Sequence, residues 1–128
     1  VLAFDTIDAA LYNDLGIEFL KLEDLAAAIA AWKKAVELDS SLRQAAFNLA
    51  LVSQLELNDP QTAIPYWHMV IDAGDDSAEA YAHLANAYIL VNRRTEALYW
   101  LGQVLERYPD SPQAQQAREL QRAQEERL

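Results

Sequence analysis

The side chains best suited to chemistry are His68, His83 and the carboxylates near them. His68 and Asp72 are four residues apart, which sets an imidazole and a carboxylate on one helix face, as a helix offers two ligands to a metal. Two ligands do not complete a site. A histidine near a helix C-terminus has an ordinary role beside the partial negative charge there. The run DAGDDS, residues 72 to 77, resembles a calcium loop but lacks the alternating acidic ligands and the distal glutamate, so it reads as a turn. There is no cysteine to serve as nucleophile or thiolate ligand, no glycine-rich phosphate loop, and no nucleophile shared by the two histidines. No catalytic residue, metal site or cofactor is expected, and the chain reads as a protein that is not an enzyme.

The elements that carry these residues are helical. Of the 128 residues 52% are hydrophobic, enough for one domain with a sizeable core, and Ala and Leu dominate over the β-branched residues that favour strands. The formal charge of −10 argues against nucleic acid or an anionic membrane as partner and favours a neutral or basic one. No run of about 18 apolar residues suits a membrane span. The sequence opens at Val1 without a signal-like segment, which reads as a fragment or a processed form. Cysteine usage leaves the compartment open. Cytoplasm is the expectation, with a periplasmic or membrane-tethered soluble domain as the alternative.

An internal repeat organises the chain. Tyr12, Leu15, Gly16 and Phe19 share a helical face, and the same spacing returns at Ala46, Leu49, Ala50 and Ser53, and at Tyr81, Leu84, Ala85 and Tyr88. Each set is followed by a second: Ala28, Trp32 and Ala35; Ala63, Trp67 and Val70; Ala97, Leu101 and Val104. Leu15 to Leu49 is 34 residues and Leu49 to Leu84 is 35, while Trp32 to Trp67 is 35 and Trp67 to Leu101 is 34. One extra residue therefore sits in the second unit between Ser53 and Ala63, where LNDPQ offers a turn. A period near 34 with two helices per unit predicts a solenoid. Glycine costs a helix about 1 kcal/mol relative to alanine, yet Gly16 matches Ala50 and Ala85. A small residue is therefore needed there for close helix approach, with Ala28 as the expected small partner.

These motifs resemble the tetratricopeptide repeat family, whose pattern is W-x2-L-G-x2-Y, then A-x3-F, then a turn proline. The likeness covers residues 9 to 111 and is weakest in the second unit, where Ala46 and Ser53 stand at the aromatic positions. The implied fold is all-α, a right-handed α-solenoid of three antiparallel helix pairs (9–42, 43–77, 78–111) after a lead-in at 1–8, closed by a capping helix at 112–128: seven helices in all. Expected helices run near 8–22, 24–38, 42–57, 60–73, 78–91, 94–108 and 112–127. Asp59-Pro60 and Ser111-Pro112 read as an N-cap followed by proline at the first helical position, and Ser41 with Gln44 as a capping box. Pro65 requires the fourth helix to start late, near Thr62, or to bend. The final segment has three Glu and three Arg and a thin stripe of Ala114, Ala117, Leu120 and Ala123, as a polar lid would. The other end has only apolar Val1, Leu2, Phe4 and Ile7, suited to a preceding element or to homo-association.

The resemblance also implies where a partner binds: a concave groove lined by the first helix of each unit. The residues the core pattern leaves unused there are Asn13, Ile17 and Leu20, then Gln44, Phe47, Asn48 and Leu51, then His83, Asn86 and Ile89. Large apolar side chains alternate with amides able to bond a ligand backbone, and Asn48 stands where the family often uses asparagine for that purpose. The expected function is an adaptor or scaffold that binds a peptide or amphipathic helix of another protein. The alternatives are a structural segment of a longer solenoid or a self-associating protein, and, for the groove residues themselves, simple packing against the second helices. The family's clamp for acidic chaperone tails needs lysine and arginine. Asn13, Ile17, Glu79 and His83 hold the matching places, so that ligand is not expected.

Overall fold

The computed structural model describes residues 2–74 and 77–126, with side chains from Ala9 onward. Among the described residues there are seven α-helices and no strand: α1 Leu2–Lys21, α2 Leu25–Leu38, α3 Arg43–Leu51, α4 Pro60–Asp72, α5 Ala78–Leu90, α6 Arg94–Arg107 and α7 Pro112–Glu126. The helices pack as α1 on α2, α3 on α4 and α5 on α6, with each pair stacked on the next and α7 closing the last, which is the arrangement of an α-solenoid. The first helix begins at Leu2, well before the expected start near residue 8, so its backbone runs unbroken through the stretch read as a lead-in. Val1 lies outside the described residues.

Side-chain caps fix three of the helix starts. Asp24 accepts from the Ala27 amide at 3.1 Å, Asp59 from the Thr62 amide at 3.2 Å, and the Ser111 hydroxyl from the Ala114 amide at 3.2 Å. The expected capping box at Ser41 does not form. The Ser41 hydroxyl instead donates to Asp39 at 2.6 Å, and Leu42 occupies the N-cap of α3 without a side-chain bond. Helix α4 starts at Pro60 rather than near Thr62, with Pro65 inside it. Proline removes the bond to the carbonyl four residues back; both Pro65 and Gln61 are exposed, so water can serve the freed carbonyl.

The extra residue of the second unit lies in a helix, not in the turn. In the first and third units the chain reverses through a left-handed residue, Glu23 or Asn92, and the next amide bonds back to Phe19 or Tyr88, each at 2.9 Å. The second unit makes the same closure with left-handed Asn58 and a bond from the Asp59 amide to the Ser53 carbonyl at 2.8 Å, across one more residue. That residue is absorbed by a π-helical turn, Val52–Glu56, which continues α3.

The core follows the repeat. Ala28, Trp32 and Ala35, Ala63, Trp67 and Val70, and Ala97, Leu101 and Val104 are buried, as are Leu49, Leu84, Ala50 and Ala85. Leu15 is the exception at 43% exposed, since among the described residues no helix stacks on that face of the first unit. A second cluster, Tyr81, Ala85, Leu101 and Val104, is covered by Ala117 and Leu120 of α7. Along α7, Gln124 rather than Ala123 completes the buried stripe.

Gly16 marks a close approach, and the nearest atoms there belong to Trp32. A β-carbon there would lie 2.6 Å from Cε2 of the indole. Gly102, on α6, has open space around it. Gly16→Ala should therefore lose roughly 1–3 kcal/mol by overpacking, although alanine is the better helix former. Gly102→Ala should gain up to about 1 kcal/mol. Urea unfolding of both variants checks the pair, and equal effects would contradict the close approach.

Candidate functional site

The first helices of successive units stand side by side and are tied by polar bonds. Asn48 of α3 donates through Nδ2 to Oδ1 of Asn13 on α1 at 3.3 Å, and Gln54 in the π turn donates through Nε2 to the His83 carbonyl of α5 at 3.2 Å. Behind this row lie the two buried indoles. Trp32 donates to the Asn13 carbonyl at 3.2 Å and Trp67 to Oε1 of Gln54 at 2.7 Å, so neither indole N–H is left unpaired in the core.

Trp67 organises the middle of the row. Phe47 meets it edge to face at a centroid distance of 5.3 Å, and His83 stacks on it at 5.0 Å and 11°. Phe47 is half-buried, and the guanidinium carbon of Arg43 lies 6.0 Å from its ring centroid. Ile17, Leu51 and Ile89 are half-buried and pack partly on the core, so they serve the fold as well as the surface. Asn13 is buried, Asn48 and Asn86 are half-buried, and Leu20 and Gln44 are exposed. The ten sequence-derived residues thus form two groups: Asn13, Phe47, Asn48 and His83, joined directly or through Trp67, and the partly packed or open positions around them.

Four participants carry no signal in the sequence. Gln54 reaches Trp67 and His83 from the π turn, a conformation with no sequence signature. Leu55 from the same turn and Gln113 and Gln116 from α7 meet Glu79, His83 and Asn86 around a depression of about 230 Å³ between α5 and α7. The only available signal was Glu79, at a place where an anion-binding groove would hold a cation.

Burial lowers the pKa of both histidines. The carboxylate of Glu79, 3.7 Å from Nε2 of His83, pulls the other way without overcoming it. His68 lies away from the row, with Nε2 2.8 Å from the Tyr88 hydroxyl and its ring 5.5 Å from that of Trp100. Burial lowers its pKa too, against the opposing pull of Asp72, and raises that of Tyr88.

The tetratricopeptide repeat profile matches residues 54–120, with a second such match over 9–42, and the chain belongs to this family. Its fold is similar to the N-terminal domain of stress-induced protein-1 from C. elegans, with TM-score 0.78 and 25% identity over 91% of this chain and 96% of that one. It is also similar to the Arabidopsis OM64 tetratricopeptide domain, with TM-score 0.75 and 19% identity over 93% and 98%. The first tetratricopeptide domain of Spaghetti (RPAP3), solved bound to the HSP90 peptide SRMEEVD, gives TM-score 0.74 and 18% identity over 94% and 93%. No curated protein matches the sequence significantly. Among the described residues no helix is long and apolar enough to cross a membrane.

The lowered histidine pKa values make stability depend on pH. Unfolded histidine titrates near pH 6.5, so below that value the unfolded chain binds protons the folded chain resists. The contribution is complete above about pH 6.5 and is lost as pH falls through the lower folded values. The urea midpoint should fall between pH 7.5 and 5.5, and His68→Gln and His83→Gln should each flatten part of the slope. A flat wild-type profile would contradict the burial of the two rings.

Proposed function

We propose that this chain is a protein-interaction module, with repeat units at 9–42, 43–77 and 78–111 and the lid at 112–128. In this reading, the concave face of α1, α3 and α5 receives a peptide or helical segment of another protein. The observation that carries it is the aromatic group at the centre: Phe47 and His83, partly exposed, rest on a buried Trp67 that holds them rigid, with the amides of Asn48 and Asn86 nearby. Rigid, partly exposed aromatics are typical anchors of recognition. The structurally similar Spaghetti domain was solved with a bound peptide, which supports peptide recognition as the use of this fold. That peptide's acidic sequence does not suit this chain: Asn13, Ile17, Glu79 and His83 supply no fixed cation, and the net charge is −10. A neutral or basic segment fits better.

The test begins with selection of binding peptides from a random displayed library. Phe47→Ala should weaken the selected peptides by about 2 kcal/mol or more, and Asn86→Ala by about 1 kcal/mol. Peptides indifferent to both substitutions would place binding elsewhere.

A second reading, self-association, is favoured by the exposed end of the first unit. Leu11 and Leu15 are 51% and 43% exposed, whereas the equivalent Ala45, Leu49, Ala80 and Leu84 are fully buried by the helix stacked on them. Leu15 lines an apolar depression there with Tyr12, Phe19, Ala27, Ala30 and Ala31. If this face meets a second copy, sedimentation should show a concentration-dependent dimer that Leu15→Glu abolishes. A wild-type monomer at high concentration would rule the dimer out.

A further inference from the structure

The depression between α5 and α7 differs in chemistry from the rest of the row. Apolar side chains, Leu55 from the π turn and Leu120 from α7, border it, with Leu101 and Ala117 deeper. The polar groups at its edge are amides, Asn86, Gln113 and Gln116, together with His83 and Glu79. Glu79 carries the only permanent charge among the lining residues. Its place in the first turn of α5 suits the helix dipole, but that role requires no cavity beside it and no ring of amides.

We infer that this depression is a pocket for one arginine side chain of the segment bound along α1, α3 and α5, with Glu79 as its carboxylate partner. The chemistry matches part by part. An arginine has an apolar stem that can cover Leu55 and Leu120 while its head stays polar. Its planar guanidinium presents five N–H donors in a fork that fits a carboxylate. The amide oxygens of Gln113, Gln116 and Asn86 are acceptors for the donors Glu79 leaves free. An anionic side chain would meet Glu79 with no cation in the pocket to receive it. The nearest titratable group, His83, stacks on Trp67, and burial lowers its pKa, so it competes weakly for the carboxylate 3.7 Å away. Formation of the pocket depends on α7, which gives the capping helix a part in recognition beyond covering the core.

The inference rests on the groove reading, and the test separates the two. The probes are labelled, acetylated twelve-residue alanine–leucine peptides with one central arginine, citrulline, lysine or glutamate, titrated by fluorescence anisotropy and mapped by amide chemical shifts. The arginine peptide should bind most tightly and perturb Glu79, Asn86, Gln113 and Gln116. Glu79→Gln should weaken it about threefold to fivefold, the scale of a partly exposed ion pair, and leave the citrulline peptide unchanged. Equal binding of arginine and citrulline peptides, with shifts confined to the surroundings of Phe47, would overturn the arginine pocket and leave the groove intact. Tighter binding of the glutamate peptide would overturn the charge assignment. Failure of all four peptides to perturb either region would overturn both readings.

Discussion

Two tryptophans must be buried completely without leaving their indole N–H groups unpaired, and the geometry of the first two units follows from that constraint. An unpaired buried donor costs roughly 1–3 kcal/mol, so each ring needs both space and an acceptor. The units meet the need differently. Gly16 removes a side chain so that Trp32 can lie flat against α1 and reach the Asn13 carbonyl. The second unit brings in the Gln54 side chain to accept from Trp67. In the third unit Leu101 replaces tryptophan, and the need for an acceptor disappears with the indole.

The π turn gains its meaning here. It preserves the chain reversal through a left-handed residue, Asn58, that its neighbours make with Glu23 and Asn92, while fitting in one more residue. Gln54 lies in that turn, beneath Trp67 and against the backbone of α5. The same amide therefore joins a core ring of the second unit to the first helix of the third, and supports the His83 stack from below. The aromatic group at the centre of the candidate surface is a by-product of how the core is satisfied.

Much of this was legible in the residues, for reasons that also explain the gaps. A 34-residue recurrence of Leu and small residues reports burial between helices, and it marks the pairs and the span that holds the extra residue, though not the π turn that absorbs it. Leu15 was read as core because its equivalents are, but periodicity carries no information on whether a neighbouring unit is present. Gly16 marks a close approach whose nearest side chain is Trp32, because spacing names the helix that approaches but not which of its side chains comes nearest. The π turn was invisible because it changes a hydrogen-bond register, not a composition. The pocket between α5 and α7 was missed because its walls come from segments distant in sequence, brought together only when the lid packs.

The most direct test of the central claim is hydrogen exchange at the indole N–H groups, with the half-buried Trp100 as internal reference. Trp32 and Trp67 should exchange only through global unfolding, far more slowly than Trp100, and Gln54→Ala should accelerate Trp67 more than the drop in global stability accounts for, leaving Trp32 tracking that drop alone. Exchange at Trp67 as fast as at Trp100, or unaffected by Gln54→Ala, would contradict the account.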